Sequence, residues 1–66
     1  MKSFSSREIL AILQANDWYI DSQKGSHIHL KHKDKKEKVT VPHPKKDLPH
    51  RTIKSIFKQA GINLSE

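Results

Sequence analysis

Residues 24–42 read KGSHIHLKHKDKKEKVTVP, and two short segments within them alternate between apolar and polar side chains. Successive side chains of a strand point to opposite sides, so Ile28 and Leu30 share one face. His27, His29, Lys31 and Lys33 then share the other, while His32 falls on the Ile28 side. DKKE (34–37) reads as a polar turn. KVTV (38–41) resumes the alternation, with Val39 and Val41 inward and Lys38 and Thr40 outward. Lys24-Gly25 makes the break before the first segment. PHPKKDLP (42–49) carries too many prolines for a ladder and reads as loop.

Working outward, DWYIDSQ (17–23) has the composition of a third strand, with Trp18 and Ile20 on the inner face and Tyr19 facing out. Upstream, FSSREILAILQAN (4–16) predicts a helix. Ser5 and Glu8 have capping-box spacing, and Phe4 and Ile9 that of a hydrophobic staple. Ile9, Leu10, Ile12 and Leu13 form its apolar stripe, and Asn16 is placed to stop it in a left-handed conformation. Downstream, HRTIKSIFKQAG (50–61) places Ile53, Ile56, Phe57 and Ala60 at i, i+3, i+4 and i+7 before Gly61. Ile62 can then fold back on the last turn.

The expected architecture is therefore α+β, in the order α-β-β-β-α. Three sequential strands joined by short turns form a three-stranded antiparallel sheet, and the two helices cover one face of it. The opposite face is left to solvent. Sixty-six residues allow one small core, so residues 1–66 are expected to be a single domain.

Thirteen Lys and Arg against seven Asp and Glu give a net charge of +6. Residues 24–58 hold eleven basic and three acidic side chains, a net of +8, so one region carries the whole excess. Such asymmetry points to a polyanionic partner, most commonly nucleic acid; a solvated lysine-rich surface is the plainer alternative. There is no cysteine, hence no disulfide framework and no thiolate metal site. No apolar run reaches signal-peptide or membrane-spanning length, so no membrane role is expected and the cytoplasm is the expected location.

Three histidines in residues 27–32 admit three readings. As a metal site they lack a third ligand in register, since alternation sends His32 away from His27 and His29 and no carboxylate completes a tetrahedral set. As surface groups, His29 and His32 could contact phosphate or nothing. Catalysis is the third reading. RNA cleavage can proceed without metal when a base takes the 2′-hydroxyl proton and an acid protonates the departing 5′-oxygen. Histidine side chains suit both tasks near neutral pH. His27, directly after Gly25-Ser26 and beside lysines that could hold phosphate, is placed for that work.

KGSHIHL (24–30), VTVPHP (39–44) and TIKSIFKQAGI (52–62), in that order and after DWYI, resemble the HicA-type toxins, also called the YcfA-like family. The resemblance spans nearly the whole chain. Its most specific marks are Gly25-Ser26-His27 and Val41-Pro42-His43. It implies an α-β-β-β-α fold similar to a double-stranded-RNA-binding domain. It also implies an endoribonuclease that cleaves mRNA without a cofactor, and a HicB-type antitoxin as partner, with DNA contacted only through the antitoxin complex. The histidine of the Gly-Ser-His motif is the family's catalytic residue, so that role passes to His27. Ser22 departs from the arginine the family often carries near this point, leaving Lys24 as the nearby cation. Ile28 and Leu30 are further departures. None touches His27.

Beside His27, the candidate RNA-binding set is Lys24, Gly25, Ser26, His29, Lys31, Lys33, Lys38 and His43. Gly25 is a turn residue that would let backbone approach phosphate, and Ser26 caps that turn or donates to phosphate. The lysines attract collectively. His43 is either a loop residue or a second acid–base group or phosphate ligand. Arg51, Lys54 and Lys58 form a stripe on the second helix, either a solvated face or a further contact. Trp18 reads as core, and Tyr19 as the better base-stacking candidate. The rival to catalysis is a non-catalytic RNA- or DNA-binding module of the same fold. A second rival is a basic face that docks an acidic protein.

Overall fold

A computed structural model describes residues 3–62 in the order α1 (Ser6–Ala15), β1 (Tyr19–Lys24), β2 (His27–His32), β3 (Lys35–Pro42) and α2 (His50–Ala60). The expected α-β-β-β-α order is what the chain adopts. The strands form one antiparallel sheet with β2 in the centre.

The first helix begins as its sequence dictates. Glu8 N–H donates to Ser5 Oγ at 3.2 Å, and Ser5 N–H donates to the Glu8 carboxylate at 2.9 Å. Two otherwise orphaned donors are satisfied reciprocally. Its end differs from expectation by one residue. Asn16 has φ −107°, and the left-handed residue is Asp17, with φ +71°. The reason lies in the hydrogen bonds. Trp18 N–H reaches back to Leu13 O at 3.0 Å and Asp17 N–H to Gln14 O at 3.2 Å, a Schellman closure that needs its positive φ at position 17. Asn16 instead turns its side-chain amide onto Ile12 O at 2.8 Å. The second helix closes in the same way. Gly61, with φ +71°, donates to Lys58 O, and Ile62 N–H returns to Phe57 O at 2.9 Å, as expected for Ile62.

Ile28, Leu30, Val39 and Val41 meet the helix residues Ile9, Leu10, Leu13, Ile53, Ile56, Phe57 and Ala60 in one core, with Trp18 sealing its edge. Phe4 lies edge-on to Phe57, ring centroids 6.2 Å apart. Leu48, within the proline-rich segment expected to be loop, is also buried there. The segment holding it is anchored by main-chain bonds from Ser6 N–H to Lys45 O and from Leu48 N–H to Phe4 O, both 2.9 Å.

Two strand expectations are corrected. Ile20 was expected inward but is 46 % exposed. It pairs with the buried Leu30, yet both helices lie over β3, so the outer strand β1 extends beyond their cover. The polar turn is Lys33-Asp34 rather than DKKE, and β3 starts at Lys35. Asp34 N–H donates to His32 Nδ1 at 3.0 Å and so closes the turn early. Lys33 consequently lies in the turn and not on the strand face.

Register slips once in each ladder, between Ile20 and Ser22 on β1 and between Leu30 and His32 on β2. The first slip leaves Asp21 as an extra residue, a bulge that brings Ser22 opposite His29. No helix among the described residues is long and apolar enough to cross a membrane.

Candidate functional site

The sheet face away from the helices is built in rows across the three strands. One row is Lys24, His27 and Pro42; the next is Ser22, His29 and Thr40; Tyr19 stands opposite Lys31 beyond them. Directly opposed residues of antiparallel strands point to the same side, so each row presents its side chains together.

His27 is the first residue of β2, exposed, and opposite Lys24. The preceding turn holds it there. Gly25 has φ +59°, the positive φ that the first position of a two-residue hairpin loop demands. A Cβ at Gly25 would meet nothing within 4 Å, so torsion and not crowding makes glycine the fitting residue. His29 is half-buried, its Nδ1 2.9 Å from Thr40 Oγ1. Lys31 is exposed and lies 3.8 Å from Asp21 Oδ2, a surface pair of small energetic consequence.

His43 sits at the same end of the sheet and faces another way. Its N–H donates to Ser26 O at 2.8 Å, which ties the segment after β3 to the Gly25-Ser26 turn. Its ring turns towards α1, with Nδ1 2.7 Å from Ser6 Oγ. Ser6 is 1 % exposed, and its hydroxyl also accepts from Lys45 N–H at 2.9 Å. Arg7, His43, Lys45 and Lys46 line an open recess there, which no local pattern in the chain indicated.

The candidate residues thus divide. Lys24, Gly25, Ser26 and His27 gather at one end of the sheet, with His29 in the next row and His43 behind the turn. Lys31 is further along β2. Lys33 lies in the opposite turn, about 20 Å from His27 at roughly 3.3 Å per strand residue. Lys38 is exposed on β3 beyond Thr40. His32 is outside the group, with its ring 5.2 Å from that of Trp18, as its alternation indicated. Tyr19 is exposed on the outer strand, and Arg51, Lys54 and Lys58 are exposed on α2. Among the described residues, no three His, Cys, Asp or Glu side chains converge as a metal-ligand set.

Ser6 and Thr40 are the site residues that sequence reasoning missed. Alternation had already turned Thr40 outward, but its place beside His29 needed the register of β2 against β3.

Residues 6–62 match the family model described as the HicA toxin of bacterial toxin–antitoxin systems. This chain belongs to the HicA toxin family. The match takes in all five elements and the Gly25-Ser26-His27 turn, and starts one residue after the Ser5 cap. The HicA fold is also seen in a solved chain from a structure described as a HicA3 and HicB3 toxin–antitoxin complex. The two are 30 % identical with a TM-score of 0.75, over 94 % of this chain and 100 % of that one. No curated protein sequence matches the chain.

Proposed function

We propose that this HicA-family toxin is a metal-independent endoribonuclease that cleaves mRNA and thereby inhibits translation, with His27 as a general acid–base group. The observation that carries this reading is the pairing of His27 with Lys24 at the rim of an open, basic sheet face. The imidazole is accessible to a phosphodiester, and an ammonium stands beside it to hold the negative charge that grows at phosphorus. Attack by the 2′-hydroxyl would leave a 2′,3′-cyclic phosphate and a 5′-hydroxyl. Lys31 on β2 and Lys38 on β3 add attraction across the sheet, Lys33 adds to it from the far turn, and Gly25 and Ser26 let backbone and hydroxyl approach the phosphate. The chain would act as one domain, in the cytoplasm.

The partner we propose is a HicB-type antitoxin, in keeping with the similar chain from the HicA3 and HicB3 complex. DNA would be reached only through that antitoxin.

The test is cleavage of a long single-stranded RNA in EDTA by the chain and by His27→Ala purified identically. Cleavage by the first alone supports the reading. Intact RNA with binding retained in both supports a non-catalytic RNA-binding module instead. Products with 5′-phosphate ends would rule out attack by the 2′-hydroxyl.

A further inference from the structure

We propose that His29 is the second acid–base group of this site and works with His27 across one RNA phosphate. The proposal rests on the ribonuclease reading above and names the partner that reading lacks.

Cleavage by an internal hydroxyl moves two protons, one off the 2′-oxygen and one onto the 5′-oxygen. A pair of acid–base groups flanking the phosphate can carry both transfers, imidazole suits each role, and the chain has five histidines. His32 is turned to the helix side, against Trp18, with its Nδ1 occupied by Asp34 N–H. His43 is turned towards α1 and the buried Ser6 hydroxyl. His50 is the first residue of α2. Only His27 and His29 stand in adjacent rows of the open face, two residues apart on β2. At about 3.3 Å per residue, the two backbones are about 6.6 Å apart, a span that one phosphate and its two flanking oxygens can occupy.

The hold on His29 suits a group that changes charge. Thr40 sits directly opposite it on β3, with Oγ1 2.9 Å from Nδ1. Thr40 Oγ1 can accept from Nδ1–H both in the neutral ring with bare Nε2 and in the imidazolium, so the contact survives a proton exchange at Nε2. Nε2 is left as the nitrogen to exchange protons with substrate. Around His29 stand Ser22 on β1, Thr40 on β3, and His27 and Lys31 on its own strand. Lys24 lies in the neighbouring row, Tyr19 opposite Lys31, and Asp21 against Lys31 Nζ.

The step balances without a co-reactant. One neutral imidazole takes the 2′-hydroxyl proton as the O2′–P bond forms, and the P–O5′ bond breaks as the other, protonated imidazole gives its proton to O5′. The two rings finish with protonation states exchanged, ready for the reverse sequence with water to open the cyclic phosphate.

The experiment measures kcat and KM across pH for the full chain, His29→Ala, Thr40→Val and the control His50→Ala. Thermal unfolding of each variant separates loss of fold from loss of chemistry. The full chain should give a bell-shaped kcat profile. His29→Ala should lose about 10²–10⁴-fold in kcat and one limb of the bell. Thr40→Val should lower kcat less and keep both limbs, and His50→Ala should match the full chain. Both limbs and a near-unchanged kcat in a folded His29→Ala would overturn the proposal, as would a rise in KM alone, which would make His29 a binding contact. An inert full chain would sink the ribonuclease reading itself, an outcome distinct from either.

Discussion

Ser6 Oγ and His43 Nδ1 lie 2.7 Å apart, which fastens the first turn of α1 to the segment that leaves β3, 37 residues later in the chain. Around that hydroxyl, Ser6 N–H donates to Lys45 O while Lys45 N–H donates to Ser6 Oγ. One buried side chain thus secures α1 and, through His43 N–H and Ser26 O, the turn that presents His27.

Ser6→Ala is therefore expected to destabilise the fold by about 1–3 kcal/mol, because Lys45 N–H and the His43 ring lose their buried partner. Urea unfolding of the two proteins measures the difference. A change under 0.5 kcal/mol would show that water replaces the hydroxyl at no cost.

Gly25→Ala should destabilise by about 1–2 kcal/mol, since alanine is penalised at the φ of +59° found here although space for its methyl exists. Gly25→Asn should cost less, as asparagine tolerates that conformation. The order of the three unfolding midpoints checks the torsional argument. Equal loss in both variants would count against it.

Asp17→Gly should be stabilising by up to about 1 kcal/mol. It relieves a non-glycine residue at φ +71° and removes a carboxylate from the negative end of α1. A lower unfolding temperature would mean that the Asp17 side chain contributes something beyond its conformation.

Lys24→Ala should weaken RNA binding and lower the slope of log affinity against log salt by about 0.7, the value for one lost phosphate contact on a single strand. Lys33→Ala, in the far turn, should change the slope less. Filter binding across a salt series reads both. Equal slopes for the two variants would show that the charge acts diffusely and not at the His27 end.

Much of this was legible in local pattern. The alternation of Ile28 with Leu30 and of Val39 with Val41, and the helical spacing of Ile53, Ile56 and Phe57, are properties of neighbouring residues, and each set is buried. Ile20 fits the same pattern and fails, because whether a strand's inner face is covered depends on where the helices come to rest. DKKE is polar enough for a turn, but the bond from Asp34 N–H to His32 closed the hairpin sooner. Gly25-Ser26-His27 was visible as a motif. The partners of His29 and His43 were not, since Thr40 and Ser6 reach them only through strand register and tertiary folding.

Trp18 is the chain's one tryptophan, 3 % exposed, with its ring against His32 on the helix side of the sheet. The protein therefore carries its own fluorophore, placed where emission follows the integrity of the core. RNA lying on the opposite face would leave that indole untouched. A variant of His27 or His29 that is silent towards RNA yet keeps the parent emission spectrum is folded and chemically disabled; one whose emission moves to the red has lost its core.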